Sequence, residues 1–192
     1  MSKLEVDAIE PQSGTTLTLG ASGDTVNLAS GATNNLGITE ADQWSLTASI
    51  TANAEPISSN LERVGYTGFS KIGTGMSVSS GIWSFPSTGL YLIGMRINGR
   101  ADTDFVQVRL KLSTTGGTPS TDIAIVSFVN TFSESGKYDD GSYYQDAFVN
   151  VTNTSNFKIS FHATSVGTGS QIAGNATYTA TGFKFIRLGD SQ

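Results

Sequence analysis

The chain has 192 residues, 14% of them charged, a formal net charge of −5, 22 glycines and no cysteine. Without cysteine there is no disulfide, no thiolate metal centre and no cysteine nucleophile. An acidic chain lacking any cluster of Lys and Arg excludes the counterion-releasing contacts of a sequence-independent nucleic-acid binder and attraction to an anionic membrane surface. No apolar run reaches membrane-spanning length, so no membrane insertion is expected. Hydrophobic residues make up 38% of the chain, too many for a disordered segment, while Thr, Ser, Gly and Asn dominate the polar part. That balance favours strands and turns over helices.

In chain order, residues 1–42 come first and contain no aromatic residue and one basic residue, Lys3. Met1 to Asp7 has no apolar core of a secretion signal, so synthesis in a cytoplasm without export by the general secretory route is expected. Two apolar pairs follow nine residues apart, Leu17 with Leu19 and Val26 with Leu28. Each pair sits beside a Gly-containing turn, Gly20 to Asp24 and Ala29 to Gly31. The pattern predicts an anchor or stem of short strands whose thin core is completed by identical chains wrapping together; a flexible tail is the alternative.

Residues 43–192 read as one β domain. Strands are predicted at Gly81 to Phe85, Leu90 to Ile97, Phe105 to Leu112, Ile123 to Val129, Tyr143 to Val151, Phe157 to His162 and Thr177 to Arg187. Val106, Val108, Leu110 and Leu112 share one face of the clearest strand, with Gln107, Arg109 and Lys111 on the other. Leu90 to Ile97 is apolar on both faces, as suits a strand covered on both sides or by another subunit. Turns are predicted at Pro86 to Gly89, Thr115 to Pro119, Asp139-Asp140-Gly141 and Asn153 to Asn156. Many short strands at this spacing indicate an all-β sandwich or jelly roll, with no helix.

The residues that carry chemistry are few. His162 is the only histidine and shares strand parity with Lys158 and Ser160, so a surface position is expected. One histidine without cysteine builds neither a zinc site nor a Cys–His pair. Asp102 with Asp104, and Asp139 with Asp140, have no calcium-loop spacing and read as turn chemistry. Gly116-Gly117 and Gly73-Thr74-Gly75 lack the Lys and following helix of a phosphate loop. No catalytic residue, metal or cofactor is expected. Tyr138, Tyr143 and Tyr144 suit either a ligand contact or packing.

Ser80 to Ile93, Ser-Gly-Ile-Trp-Ser-Phe-Pro-Ser-Thr-Gly-Leu-Tyr-Leu-Ile, resembles the turn-centred core of the tumour-necrosis-factor-like and complement globular-head jelly rolls. Pro86 and Gly89 would make the tight connection. Ala180 to Leu188 is similar to that family's last strand, and Gly65 to Ile72 sits where it has early strands. The resemblance implies a homotrimer, with Trp83, Phe85, Tyr91, Ile93, Phe183 and Phe185 as its packing residues. A second resemblance lies at the start: Ser2 to Gly20, continued by Gly-Ala-Ser-Gly-Asp-Thr-Val at Gly20 to Val26, is similar to openings of virion proteins of marine tailed phages.

Together these imply a non-enzymatic, homotrimeric virion structural protein exposed on the particle surface. The N-terminal segment would contact other virion proteins. The first expectation is a tail-associated fibre or adhesin; the alternative is a capsid decoration protein. Contact with a host-surface glycan or protein is expected in distal loops: Arg100, Asp102 and Asp104 in one, Tyr138, Asp139, Asp140 and Tyr143 in the other.

Overall fold

Period-two alternation of apolar and polar side chains decides where the chain is extended and which way each residue faces. The computed structural model describes residues 9–11, 13–15, 18, 20–25, 37–102, 105–130 and 139–192. The chain divides into two units, Met1–Asn35 and Leu36–Gln192. In the first, a turn closes at Ala21 to Asp24: the Asp24 amide donates to the Ala21 carbonyl at 3.0 Å, and Asp24 Oδ2 accepts from the Ala21 amide at 2.7 Å. Leu17, Leu19, Val26 and Leu28, predicted to line the stem, lie outside the described residues, as do Asp104 and Tyr138.

Among the described residues the second unit has no helix and two antiparallel sheets. The first contains β1 (Ala41–Leu46), β2 (Leu61–Arg63), β5 (Gly89–Ala101), β8 (Asp139–Val151), β10 (Gln171–Ile172) and β11 (Gly182–Gly189). The second contains β3 (Ser77–Ser79), β4 (Ile82–Ser84), β6 (Phe105–Ser113), β7 (Thr121–Val129) and β9 (Lys158–Thr164). β8 runs along one edge of β5, from Gly89 opposite Val151 to Ala101 opposite Asp139. β11 and the short β10 share the other edge of β5, and β1 and β2 follow β11. The second sheet is ordered β3-β4-β9-β6-β7. This is the predicted all-β jelly-roll sandwich.

The core fills the space between the sheets with one residue in two from each strand. Tyr91, Ile93, Met95 and Ile97 of β5, with Phe183 and Phe185 of the neighbouring β11, pack with Val106, Val108 and Leu110 of β6 and Phe161 of β9 from the other sheet. A bulge between Leu110 and Lys111 ends the alternation of β6, so Leu112 is only partly buried. Trp83 sits at the centre, its ring 5.0 Å from Trp44, 5.1 Å from Phe185 and 5.9 Å from Phe161. Phe161 and Phe183 stack at 4.0 Å. Tyr91 packs on Phe85 at 4.9 Å and donates its hydroxyl to the Ser87 carbonyl at 3.1 Å, tying the Pro86–Gly89 connection to the core.

This placement corrects the assignment of Trp83, Phe85, Tyr91, Ile93, Phe183 and Phe185 to a seam between subunits. All six are at most 4% exposed in a single chain, because their strand parity turns them toward the opposing sheet. Three further expectations change. Asp139-Asp140-Gly141 is not a turn but the first residues of β8, held in register against Ala101, Arg100 and Gly99. Thr177 to Thr181 precedes the last strand, which begins at Gly182. Gly65 to Ile72 contributes one isolated bridge, Ile72 to Ala41, rather than early strands; those are β1 and β2.

β1 also crosses the expected boundary after residue 42. Asp42 points inward, buried, and accepts hydrogen bonds from Trp44 Nε1 at 2.8 Å, Arg63 Nε at 2.9 Å and the Met76 amide at 2.9 Å. Arg63 in turn stacks over the Trp44 ring at 4.7 Å. One carboxylate thus fastens β1 to β2 and to the start of β3. Asp42→Ala strands these donors and is expected to lower stability by about 2–3 kcal/mol in urea unfolding, with Asp42→Asn losing less.

Candidate interaction surface

The parity that fills the core also defines the outer face of the first sheet. Its side chains lie in rows across the strands, set by the register. One row runs from Phe148 on β8 through Leu92 on β5 and Ile186 on β11 to Ala41 on β1, and the bridge to Ile72 extends it. Every side chain in it is apolar. Phe148 is 67% exposed and Ile72 48%. Leu188, also exposed, lies two residues beyond Ile186, at a bulge of β11. The next row contains Asp146, Gly94, Lys184 and Gln43, and the one after it Tyr144, Arg96 and Gly182. Gly94 and Gly182 leave a hollow of about 160 Å³ walled by Gln43, Arg96, Tyr144 and Lys184. Tyr144 lies flat across Gly94, where any side chain would strike its hydroxyl. Desolvation, aided by Asp146, pushes the Tyr144 phenol above its ordinary pKa.

Exposed apolar residues also mark the flank where β7 and β8 adjoin. Phe105 lies opposite Val129 on the outside of the second sheet, with Ile125 further along β7; all three are exposed. A continuous apolar row and an apolar flank on one small domain mark surfaces that associate.

The residues predicted to contact a receptor gather in part. Arg100 stands opposite Asp140, and Asp139 opposite Ala101, at one end of the first sheet. Arg100 Nε donates to the Gly169 carbonyl at 3.0 Å, and the Asp102 amide donates to Ser170 Oγ at 2.9 Å. Tyr143 departs from the group: its ring meets Phe128 edge-on at 4.9 Å and helps close the sandwich between β7 and β8. Among the described residues no three His, Asp or Glu side chains gather to hold a metal ion.

His162 is not the surface residue its parity indicated. It lies on the outer face of β9, yet only 7% is exposed. β6 brings Arg109 and Lys111 alongside it, and the bridge from Ala54 to Ala163 brings Glu55 to the other side. Ser160 Oγ lies 2.9 Å from His162 Nε2, and Glu55 Oε2 is 3.9 Å from Nδ1, beyond hydrogen-bonding reach. Hydroxyl, imidazole and carboxylate thus follow one another in the order of a hydrolytic triad. Ser160, however, is fully buried, so no substrate carbonyl reaches its oxygen.

Burial, reinforced by the Lys111 ammonium, holds the His162 pKa below its ordinary value; Glu55 and Asp122 oppose the shift. A histidine depressed in the native state contributes stability above its unfolded value near 6.5. That contribution is lost as pH falls below about 6.5 toward the native pKa. The stability difference between the parent chain and His162→Gln, measured by urea unfolding from about pH 7.5 to 5, is therefore expected to shift against the parent on acidification. Parallel pH profiles for the two proteins would contradict the assignment.

The sequence signal for the outer face was present in part. Leu90 and Leu92 made β5 apolar on both sides, whereas Phe148 lies in the unalternating run Ala147-Phe148-Val149 and announced nothing. No family model and no curated protein matches the sequence. Solved structures do match the fold. Eiger TNF from S. frugiperda aligns with a TM-score of 0.61 at 12% identity, over 81% of this chain and 96% of that one. Murine APRIL at pH 5.0 aligns with a TM-score of 0.55 at 13% identity, and murine APRIL at pH 8.5 with 0.54 at 11%. Each APRIL structure covers 78% of this chain and 98% of its own. The second unit therefore has a tumour-necrosis-factor-like jelly-roll fold.

Proposed function

We propose that this chain is a non-enzymatic, homotrimeric head that displays binding loops on the surface of a tailed-phage particle, as a tail-associated fibre or adhesin. The observation that carries the self-association is the apolar row Phe148, Leu92, Ile186, Ala41 and Ile72. It faces solvent on a chain whose interior is already filled. An unpaired face of this kind gains about 25 cal/mol for each Å² of apolar surface it covers. A ring of identical chains covers it by setting the flank of one copy against the face of the next.

The virion setting rests on the resemblance of the opening of the chain, Ser2 to Val26, to the openings of tailed-phage virion proteins. The attachment role is supported by the end of the sandwich that brings together Arg100, Asp102, Asp139 and Asp140. Weak sites repeated on a rigid trimer gain avidity that a single site lacks.

Mass measurement of the full chain in non-denaturing buffer tests the trimer; a monomer at micromolar concentration would end that reading. Labelling this chain in intact particles tests the setting. A few dozen copies or fewer on the tail agree with a fibre or adhesin. Hundreds of copies on the shell would replace it with a decoration protein, and absence from particles would remove the virion role.

A further inference from the structure

An apolar row brings copies together but does not fix their height or rotation, because hydrophobic burial has no direction. The adjacent row supplies what is missing. Asp146 stands on β8, Gly94 on β5 and Lys184 on β11, level with one another in the register. Both charged side chains are exposed, and among the described residues neither has an ion-pair partner. They stand two strand spacings apart, roughly 9–10 Å, with the Tyr144 ring lying over Gly94 between them.

We infer that in the proposed trimer Asp146 of each copy pairs with Lys184 of the next, closing a ring of ion pairs beside the apolar row. The inference rests on the self-association reading. A closed three-fold ring is heterologous, so the β8 side of one copy meets the β11 side of its neighbour. With the strands running along the axis, rotation keeps each register row at one level. An acid on the β8 side and a base on the β11 side of the same row are what that symmetry requires. The hollow beside Lys184 receives the incoming carboxylate, with Arg96, Gln43 and the Tyr144 ring that lies over Gly94 on its walls. The pair sets register: a neighbour slipped one row toward the apolar side places Asp146 against Ile186 and leaves it uncompensated.

The experiment is sedimentation equilibrium of the full chain and of Asp146→Lys, Lys184→Asp and the double exchange, at about 0.05 M and about 1 M NaCl. Each single reversal is expected to raise the trimer dissociation constant by about tenfold or more at low salt, and the double exchange to return it to within about threefold of the parent. Asp146→Asn and Lys184→Gln read the same coupling should a reversal disturb folding. A trimer indifferent to all the exchanges, or a double exchange no tighter than the singles, overturns the pairing while leaving the self-association in place. A parent chain that is monomeric throughout removes the self-association itself, and the pairing with it.

Discussion

Phe148→Asp is expected to leave a folded monomer in place of the proposed trimer of the parent chain. Phe148 is the most exposed large hydrophobic residue in the described chain and takes no part in the core, so its loss costs the isolated domain little. Covering it against a neighbour is worth about 2 kcal/mol in each copy. Summed over a trimer this is about 6 kcal/mol, or roughly four decades in the dissociation constant, before the cost of burying a carboxylate in its place. Light scattering reads the change in mass, and near-UV circular dichroism reads the fold. Phe148→Asp remaining trimeric at low micromolar concentration would show that the row is not the contact.

Trp83→Ala acts on the other side of the sheet and is expected to lower the unfolding free energy by about 4 kcal/mol, near the upper range for a core truncation. The ring is fully buried and touches Trp44, Phe161, Phe183 and Phe185 from three other strands, so four aromatic contacts disappear with it. Edge-on and tilted aromatic pairs add about 0.5–1.5 kcal/mol each beyond the area they bury. Trp83→Phe is expected to cost much less. It keeps most of the apolar volume and removes an indole N–H that is buried with no hydrogen-bond partner. Urea titration of both variants measures the contrast; equal losses would mean that the indole N–H is not the liability its burial indicates.

The sequence disclosed the elements whose chemistry is local. β6 is readable because Val106, Val108 and Leu110 alternate with Gln107 and Arg109, and the structure buries the first set while leaving the second outside. The Trp83 to Ile93 stretch is readable because Pro86 and Gly89 force a tight connection between two apolar strands. β1 and β2 were not readable, since what makes them strands is distant: β1 is held by β11, some 140 residues away, and by Asp42 reaching Arg63. β8 was cut short in the reading for the converse reason. Asp139-Asp140-Gly141 has turn chemistry, but thirteen residues of pairing with β5 override it.

His162 shows the same limit at a single residue. Parity gave its face correctly, yet what covers that face comes from β6 and from the segment around Glu55, neither of which the strand's own residues reveal. The interaction surface was legible only as the two-sided apolar character of β5. The row from Phe148 to Ile72 exists because the register of five segments aligns residues spread from Ala41 to Ile186.

The interior of the jelly roll is filled by side chains of one copy. In the proposed trimer, folding of this unit and its assembly would therefore be separate events in time. Refolding from urea should proceed at a rate independent of protein concentration, followed by a slower phase that accelerates on mixing at higher concentration. A head dissociated by dilution would persist as a native unit and rejoin its siblings without passing through an unfolded state, so damage to one copy could be repaired by exchange of whole subunits.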